Sequence, residues 1–283
     1  ICLIDRLQPN SQASGSNAGS LHVQLLPYDF DPNNLTQLDN MKTLLKLQKK
    51  AVSEWKDIEE ETKSNFEISY DGGLMFAENE KDLEKLNMKI EVEQSVGVNS
   101  QLINQDQIHK INPLFSDKMI YAGYCPSEGK INPLKATNSI FEKCKENGLN
   151  DYCDDLIQAI EKKSGKFTII TDNHEIEVDK IINCAGSWAN NIANFLELPL
   201  KVKSVPQQMI VTEALEYKLK LLVAHIGRHL TLKQATNGNF IIGGGWTANY
   251  SKNTDHLHAL KDSFEGNTWV AKRVIPSLSL IHI

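Results

Sequence analysis

Ile1-Cys2-Leu3-Ile4-Asp5-Arg6, followed about eight residues later by Ser14-Gly15-Ser16-Asn17-Ala18-Gly19-Ser20-Leu21-His22, is the stretch whose reading decides the fold. A short apolar run closed by an acid is the pattern of the second strand of a dinucleotide-binding βαβ unit. There the carboxylate takes the hydroxyls of an adenosine ribose. Asp5 stands at that place; the plainer reading of the same residue is a strand-end cap. Arg6 suits contact with adenosine or phosphate and equally suits a solvated surface. In the loop, Gly15 and Gly19 permit backbone geometries closed to other residues, so N–H groups can approach a pyrophosphate or a planar ring. Ser14, Asn17, Ala18 and Ser20 keep that loop small and polar. A surface turn favours the same residue types, but it does not require the apolar-polar register that follows through Leu21, His22 and Val23.

Working outward, Leu38 to Glu61 carries apolar residues at intervals of three and four, which predicts an amphipathic helix. Phe66 to Tyr70 and Leu74 to Ala77 read as a hairpin around Asp71-Gly72-Gly73. Glu80 to Val96 reads as a charged, exposed helix, and Asn104 to Phe115 as a shorter helical segment closed by Asn112-Pro113. Pro133 opens a helix that Gly148 caps. Short strands are expected at 156–160, 167–171 and 176–178, and Lys180 to Cys184 enters a turn at Ala185-Gly186-Ser187-Trp188. From Pro206 onward strands alternate, with Asn237-Gly238 turning one hairpin. This is a discontinuous two-domain layout: residues 1–70 and 134–200 for a nucleotide domain, 71–133 and 201–277 for a second domain.

Taken together, the opening residues resemble the amino-terminal part of FAD-dependent oxidoreductases of the D-amino acid oxidase family, which includes glycine and sarcosine oxidases and opine and proline dehydrogenase subunits. The run Ile181-Ile182-Asn183-Cys184-Ala185-Gly186-Ser187-Trp188-Ala189 resembles the family's strand-turn that closes over FAD. Leu156 to Ile160 lies where relatives have a strand whose backbone meets adenine, so the resemblance makes Ile157 the adenine contact; an ordinary buried strand residue is the alternative. Arg228 to Gln234 with Asn237 to Trp246 resembles the family's substrate-domain hairpin, and by that likeness Lys233 and Trp246 face substrate. Many relatives carry an arginine where Lys233 stands. His22 would lie near the flavin ring, where a histidine tunes charge or touches substrate; a structural histidine is the other reading.

The resemblance implies an α/β fold in which a Rossmann-like FAD-binding domain is interleaved with an α+β antiparallel-sheet substrate domain. It implies FAD as cofactor, bound by Asp5, Arg6, Ser14, Gly15, Asn17, Ala18, Gly19, Ser20, Leu21, Ile157, Ala185, Gly186 and Trp188. It further implies hydride removal from an amine-bearing carbon of an amino acid or secondary amine, with a partner subunit as one candidate electron acceptor. The same architecture serves hydroxy acids and alcohols, and a non-catalytic flavin-carrying subunit is a third reading. The family's first strand and its G-x-G-x-x-G turn would fall about 30 residues before Ile1, and no G-x-G-x-x-G occurs in the sequence. Without that turn the 283-residue chain is expected to hold FAD poorly. Leu278-Ser279-Leu280-Ile281-His282-Ile283 translates CTG TCT CTT ATA CAC ATC, a transposase-adapter end, and reads as a cloning or assembly scar, with a genuine apolar terminus as the alternative.

Composition bounds these readings. Thirty Lys and Arg against 36 Asp and Glu give a net charge of −6 with no basic block, which disfavours nucleic acid. No apolar run of about 18 residues exists to span a bilayer. The five cysteines are scattered and none forms C-x-x-C, which points to a reducing, cytoplasmic setting rather than a disulfide framework or zinc site. No G-x-S-x-G and no H-E-x-x-H occurs, so serine-hydrolase and zinc-protease chemistry find no footing.

Overall fold

A computed structural model describes residues 1–26, 30, 34–216, 218–250 and 257–278. Of the carboxy-terminal hexapeptide only Leu278 lies among them, and it is buried. In chain order the elements begin with β1 (Cys2–Asp5), β2 (Ser20–Leu21), α1 (Leu35–Thr62), β3 (Gly73–Ala77), α2 (Glu80–Ser95), β4 (Gln101–Asn104) and α3 (Gln105–Ile111). Next come β5 (Tyr121–Cys125), β6 (Gly129–Lys130), α4 (Pro133–Glu146), β7 (Asn150–Cys153), β8 (Ile157–Lys163), β9 (Lys166–Thr171) and β10 (Glu175–Val178). A 3₁₀ turn, Gly186–Trp188, leads into α5 (Ala189–Asn194). The chain closes with β11 (Ile210–Ala214), β12 (Leu222–His225), β13 (Thr231–Gln234), β14 (Asn239–Gly243), β15 (Asn249–Tyr250), β16 (Leu257–His258) and α6 (Lys261–Val274).

Two compact units form: residues 1–17 with 137–205, and residues 18–136 with 206–283. The division therefore runs between Asn17 and Ala18, not near residue 70. The reason is local: β2 pairs with β6, and α1 packs on α2, which ties residues 18–70 to the second unit.

In the first unit β1 runs parallel to β7, with Asp5 opposite Cys153, and β8, β9 and β10 form a three-stranded antiparallel sheet. Residues 179–184 carry no strand, contrary to the expected strand entry, and Ile182 is 87% exposed. An extended segment gains a ladder only where a partner strand is at hand.

The second unit holds a seven-stranded sheet in the order β11-β14-β13-β12-β3-β5-β4. All its pairs are antiparallel except β12 with β3. Phe76, Leu74, Val223, Leu232 and Ile242 fill one side of it with Val270, Ala271 and Val274 of α6. Met75, Ala77 and Ala224 pack against Leu86 and Ile90 of α2 on the other. The expected hairpin at 66–77 does not form. Glu67 takes a left-handed φ of 55° while its N–H bonds to Asn65 Oδ1, which breaks the extended run. β3 instead finds its partners far along the chain. Nor is α2 a solvated helix, since Leu86, Lys89, Ile90 and Glu93 are buried. The β13–β14 hairpin does form, and Gly238 at its turn has φ 93°.

Candidate flavin site

In the first unit the end of β1 is held by its own acid. Asp5 Oδ1 accepts the N–H of Leu7 at 3.0 Å, while the residue remains exposed. That leaves its other carboxylate oxygen to meet a hydroxyl. The Arg6 guanidinium lies 4.3 Å from the Trp188 ring centroid, a cation–π contact that joins two of the predicted residues. Gly186, the first residue of that 3₁₀ turn, has φ 52°, and a Cβ there would meet nothing within 4 Å. Its backbone therefore faces open space, and Ala185 beside it is half-buried.

The amino-terminal loop tightens at Gln12, whose carbonyl accepts from Gly15 and Ser16 N–H groups at 3.0 Å each. Asn17 Nδ2 donates to Ser14 O at 2.6 Å, so its side chain braces the turn. Gly15 abuts the Asn10 carbonyl, with no room for a Cβ. Ile157 is half-buried in β8, opposite Thr171, with one of its neighbours in the ladder offset by a bulge.

In the second unit Ala18, Gly19, Ser20, Leu21 and His22 run into β2. Gly19 is buried with φ 63°; a Cβ there would strike Ile131 O and Pro133 Cδ and come within 3.1 Å of Lys233 Nζ. The ammonium-bearing side chain of Lys233 is thus brought against the glycine loop. Lys233 is 3% exposed. Burial, followed by the charge of nearby Lys130, pushes its amine down to about 7. Lys130 is itself buried and lowered to about 8 by burial, yet its amine donates to Gln234 O at 2.8 Å. Trp246 takes a structural posture: its Nε1 donates to His229 O at 3.0 Å, and its ring lies where a Cβ of Gly266 would be.

His22 and a residue missed in the sequence, Glu128, meet at 3.3 Å. Glu128 lies 106 positions away on the turn between β5 and β6. The signal available beforehand was only its Glu-Gly turn. Among the described residues no cluster of His, Cys, Asp and Glu could hold a metal, and no helix is long and apolar enough to cross a membrane.

Taken unit by unit, these features fit parts of an FAD: in the first unit a glycine at positive φ facing open space and a strand-end acid with a spare oxygen, and in the second a glycine whose missing Cβ leaves backbone beside a buried lysine.

Comparison with known proteins agrees. The family described as "FAD dependent oxidoreductase" matches residues 1–282. The glycerol 3-phosphate dehydrogenase of Caloramator mitchellensis is 24% identical over 180 residues, which is 61% of this chain and 37% of that one. Human mitochondrial sarcosine dehydrogenase is 23% identical over 226 residues, 76% of this chain and 23% of its own. The chain thus spans between about a quarter and somewhat over a third of the length of these relatives. Among solved structures, the L-proline dehydrogenase of P. horikoshii superposes with a TM-score of 0.80 at 21% identity, covering 95% of this chain and 68% of that one. With its sequence matched almost from end to end, the chain belongs to the FAD-dependent oxidoreductases of the D-amino acid oxidase family.

Proposed function

We propose that this chain is the cofactor- and substrate-binding part of an enzyme that oxidises the C–N bond of an amino acid or secondary amine of the glycine, sarcosine, proline or opine type. The observation that carries the reading is Lys233, a buried lysine whose amine comes within 3.1 Å of where a Cβ of Gly19 would stand. Such a group calls for a ligand that supplies acceptor atoms.

When bound, FAD supplies the electron sink for a hydride from the amine-bearing carbon. The chain's own residues do the rest. Asp5 accepts ribose hydroxyls, and Arg6, held on Trp188, offers charge to the nucleotide. Ser14, Gly15, Asn17, Ala18, Ser20 and Leu21 shape the loop, and Ile157, Ala185 and Gly186 offer backbone. Lys233 anchors acceptor atoms of substrate or cofactor. With its amine near pH 7 in titration, it also accepts a proton above that pH. Trp246 contributes a fixed ring wall. The imine product then hydrolyses in water.

A second reading is oxidation of an alcohol, favoured by the likeness to a glycerol 3-phosphate dehydrogenase. A panel of proline, sarcosine, glycine and glycerol 3-phosphate, assayed with an artificial electron acceptor and with carbonyl product identified, separates the two. Turnover of an amine with release of a carbonyl compound supports the proposal; turnover of glycerol 3-phosphate alone supports the second reading. Oxygen consumption in the same assay distinguishes direct oxidation by oxygen from transfer to a partner subunit.

A further inference from the structure

Glu128 is 2% exposed and sits at the end of a buried polar chain that the reaction above does not use. Its Oε1 accepts the N–H groups of Val23 and Gln24 at 2.9 Å each, and its Oε2 accepts Gln24 Nε2 at 3.0 Å. Gln24 Oε1 accepts in turn from Lys89 Nζ at 3.0 Å. Lys89 is paired with Glu93 Oε1 at 2.7 Å, and that oxygen also takes the N–H of Leu25 at 2.8 Å. Lys89 and Glu93 are wholly buried. Gly73 is required here, because a Cβ would overlap Glu128 Oε2.

One contact of Glu128 is left, and it reaches out of this chain. His22 Nδ1 lies 3.3 Å from Oε1, and the His22 side chain is 16% exposed. Glu128 is ionised. Burial alone would raise its carboxyl, but the hydrogen bond and charge of His22 and the N–H groups of Gln24 and Val23 outweigh burial and hold it below the ordinary range. Its negative charge registers next door, where burial and then Glu128 push the Cys125 thiol up to about 11. A carboxylate can only accept hydrogen bonds. An unprotonated Nδ1 facing it would set lone pair against lone pair, so Nδ1 carries the hydrogen. In the neutral ring Nε2 is then the nitrogen with the lone pair.

We propose that Glu128 is a positioning residue for His22, fixing its Nδ1–H tautomer so that Nε2 is presented as a hydrogen-bond acceptor. While the ring is neutral, the class of group that His22 receives is therefore a donor, the N–H of an amine or the O–H of an alcohol, and not a carboxylate or carbonyl oxygen. That consequence rests on His22 belonging to the site of the proposed function; the tautomer itself does not.

The test is a two-bond ¹H–¹⁵N correlation spectrum of the histidine rings in the flavin-free chain, recorded above the pH range in which an imidazole titrates. His22 is assigned by its loss in His22→Asn. The expected spectrum has a protonated Nδ1 and a pyridine-type Nε2 for His22. Glu128→Ala should convert most of the population to the Nε2–H form, whereas Glu128→Gln, whose amide oxygen can occupy the Oε1 position, should retain the native pattern. A wild-type His22 in the Nε2–H form overturns the proposal even if neither variant folds. So does an unchanged pattern in a folded Glu128→Ala protein. An Nδ1–H ring in a protein that oxidises no amine or alcohol would leave the tautomer standing and sink the functional reading instead.

Discussion

The two units of this chain are built from comparable strands but treat their apolar residues oppositely. The second unit sandwiches its seven-stranded sheet between α6 and α2, and Phe76, Leu74, Met75 and Leu86 are at most 1% exposed. In the first unit the only apolar residues buried among those described are Ile160, Ile169 and Ala193. Leu3, Ile182 and Leu198 there are 38%, 87% and 63% exposed. Hydrophobic stabilisation scales with area removed from water, so the second unit holds most of the folding energy. The first offers strands whose apolar faces are uncovered within the described residues. Candidate cofactor residues occur in both.

That contrast can be broken or sharpened by substitution. The largest effect is expected for Phe76→Ala. Phe76 is fully buried and packs edge-on to Phe115 at 4.9 Å, and its removal should cost about 3–5 kcal/mol in denaturant unfolding. A loss under about 1 kcal/mol would mean that the second unit is no better packed than the first.

Next is Lys233→Met, expected to stabilise the flavin-free chain. The native amine titrates at about 7, against an ordinary value of 10.5. Below pH 7 the folded state must hold a buried ammonium. Between 7 and 10.5 only the unfolded chain binds the proton, so native stability rises with pH across that window. The gain from Lys233→Met should therefore be on the order of 5 kcal/mol at pH 6 and fade towards pH 10, read from unfolding midpoints at each pH. A gain independent of pH would show that packing, not charge, is relieved. Functional groups held at such a cost are a recurrent trade against stability.

Asp5→Asn comes third. The amide oxygen can still accept from Leu7, so stability should move by less than about 0.5 kcal/mol. FAD affinity should fall about tenfold, or about 1.4 kcal/mol, by fluorescence titration. An unaltered affinity would remove the ribose role from Asp5. The smallest effect is expected at Ile182→Ser, within about 0.5 kcal/mol because the side chain is already in solvent. A large destabilisation would show that this segment is covered in solution.

How much of this was legible beforehand follows the range of the interactions. Pro133 opening α4 and the Asn237-Gly238 turn act over a few residues, and each appears where the sequence places it; α1 also forms, but its buried face runs through Met41, Leu45 and Val52, while Leu44, Leu47 and Ala51 of the expected stripe are exposed. The hairpin at 66–77 failed because Glu67 leaves the extended region and β3 pairs with β12, almost 150 residues away in the register Leu222 with Gly73. Lys89 and Glu93 look like an ordinary surface pair at four-residue spacing; they are buried because Gln24 and Leu25 arrive from a distant loop. Lys233 was singled out by likeness to a hairpin. Its burial, which gives it chemical meaning, emerged only from the packed sheet. Glu128 was invisible for the same reason, since its partners are about 105 residues away and its own neighbourhood reads as a turn.

The most direct test of the central claim is anaerobic mixing of the FAD-loaded protein with proline, sarcosine or glycine while the oxidised-flavin absorbance band is followed. The account predicts that at least one of these amines bleaches the band, and that Lys233→Met slows the bleaching. A flavin that dithionite reduces but none of the amines does, or that glycerol 3-phosphate alone bleaches, would contradict it.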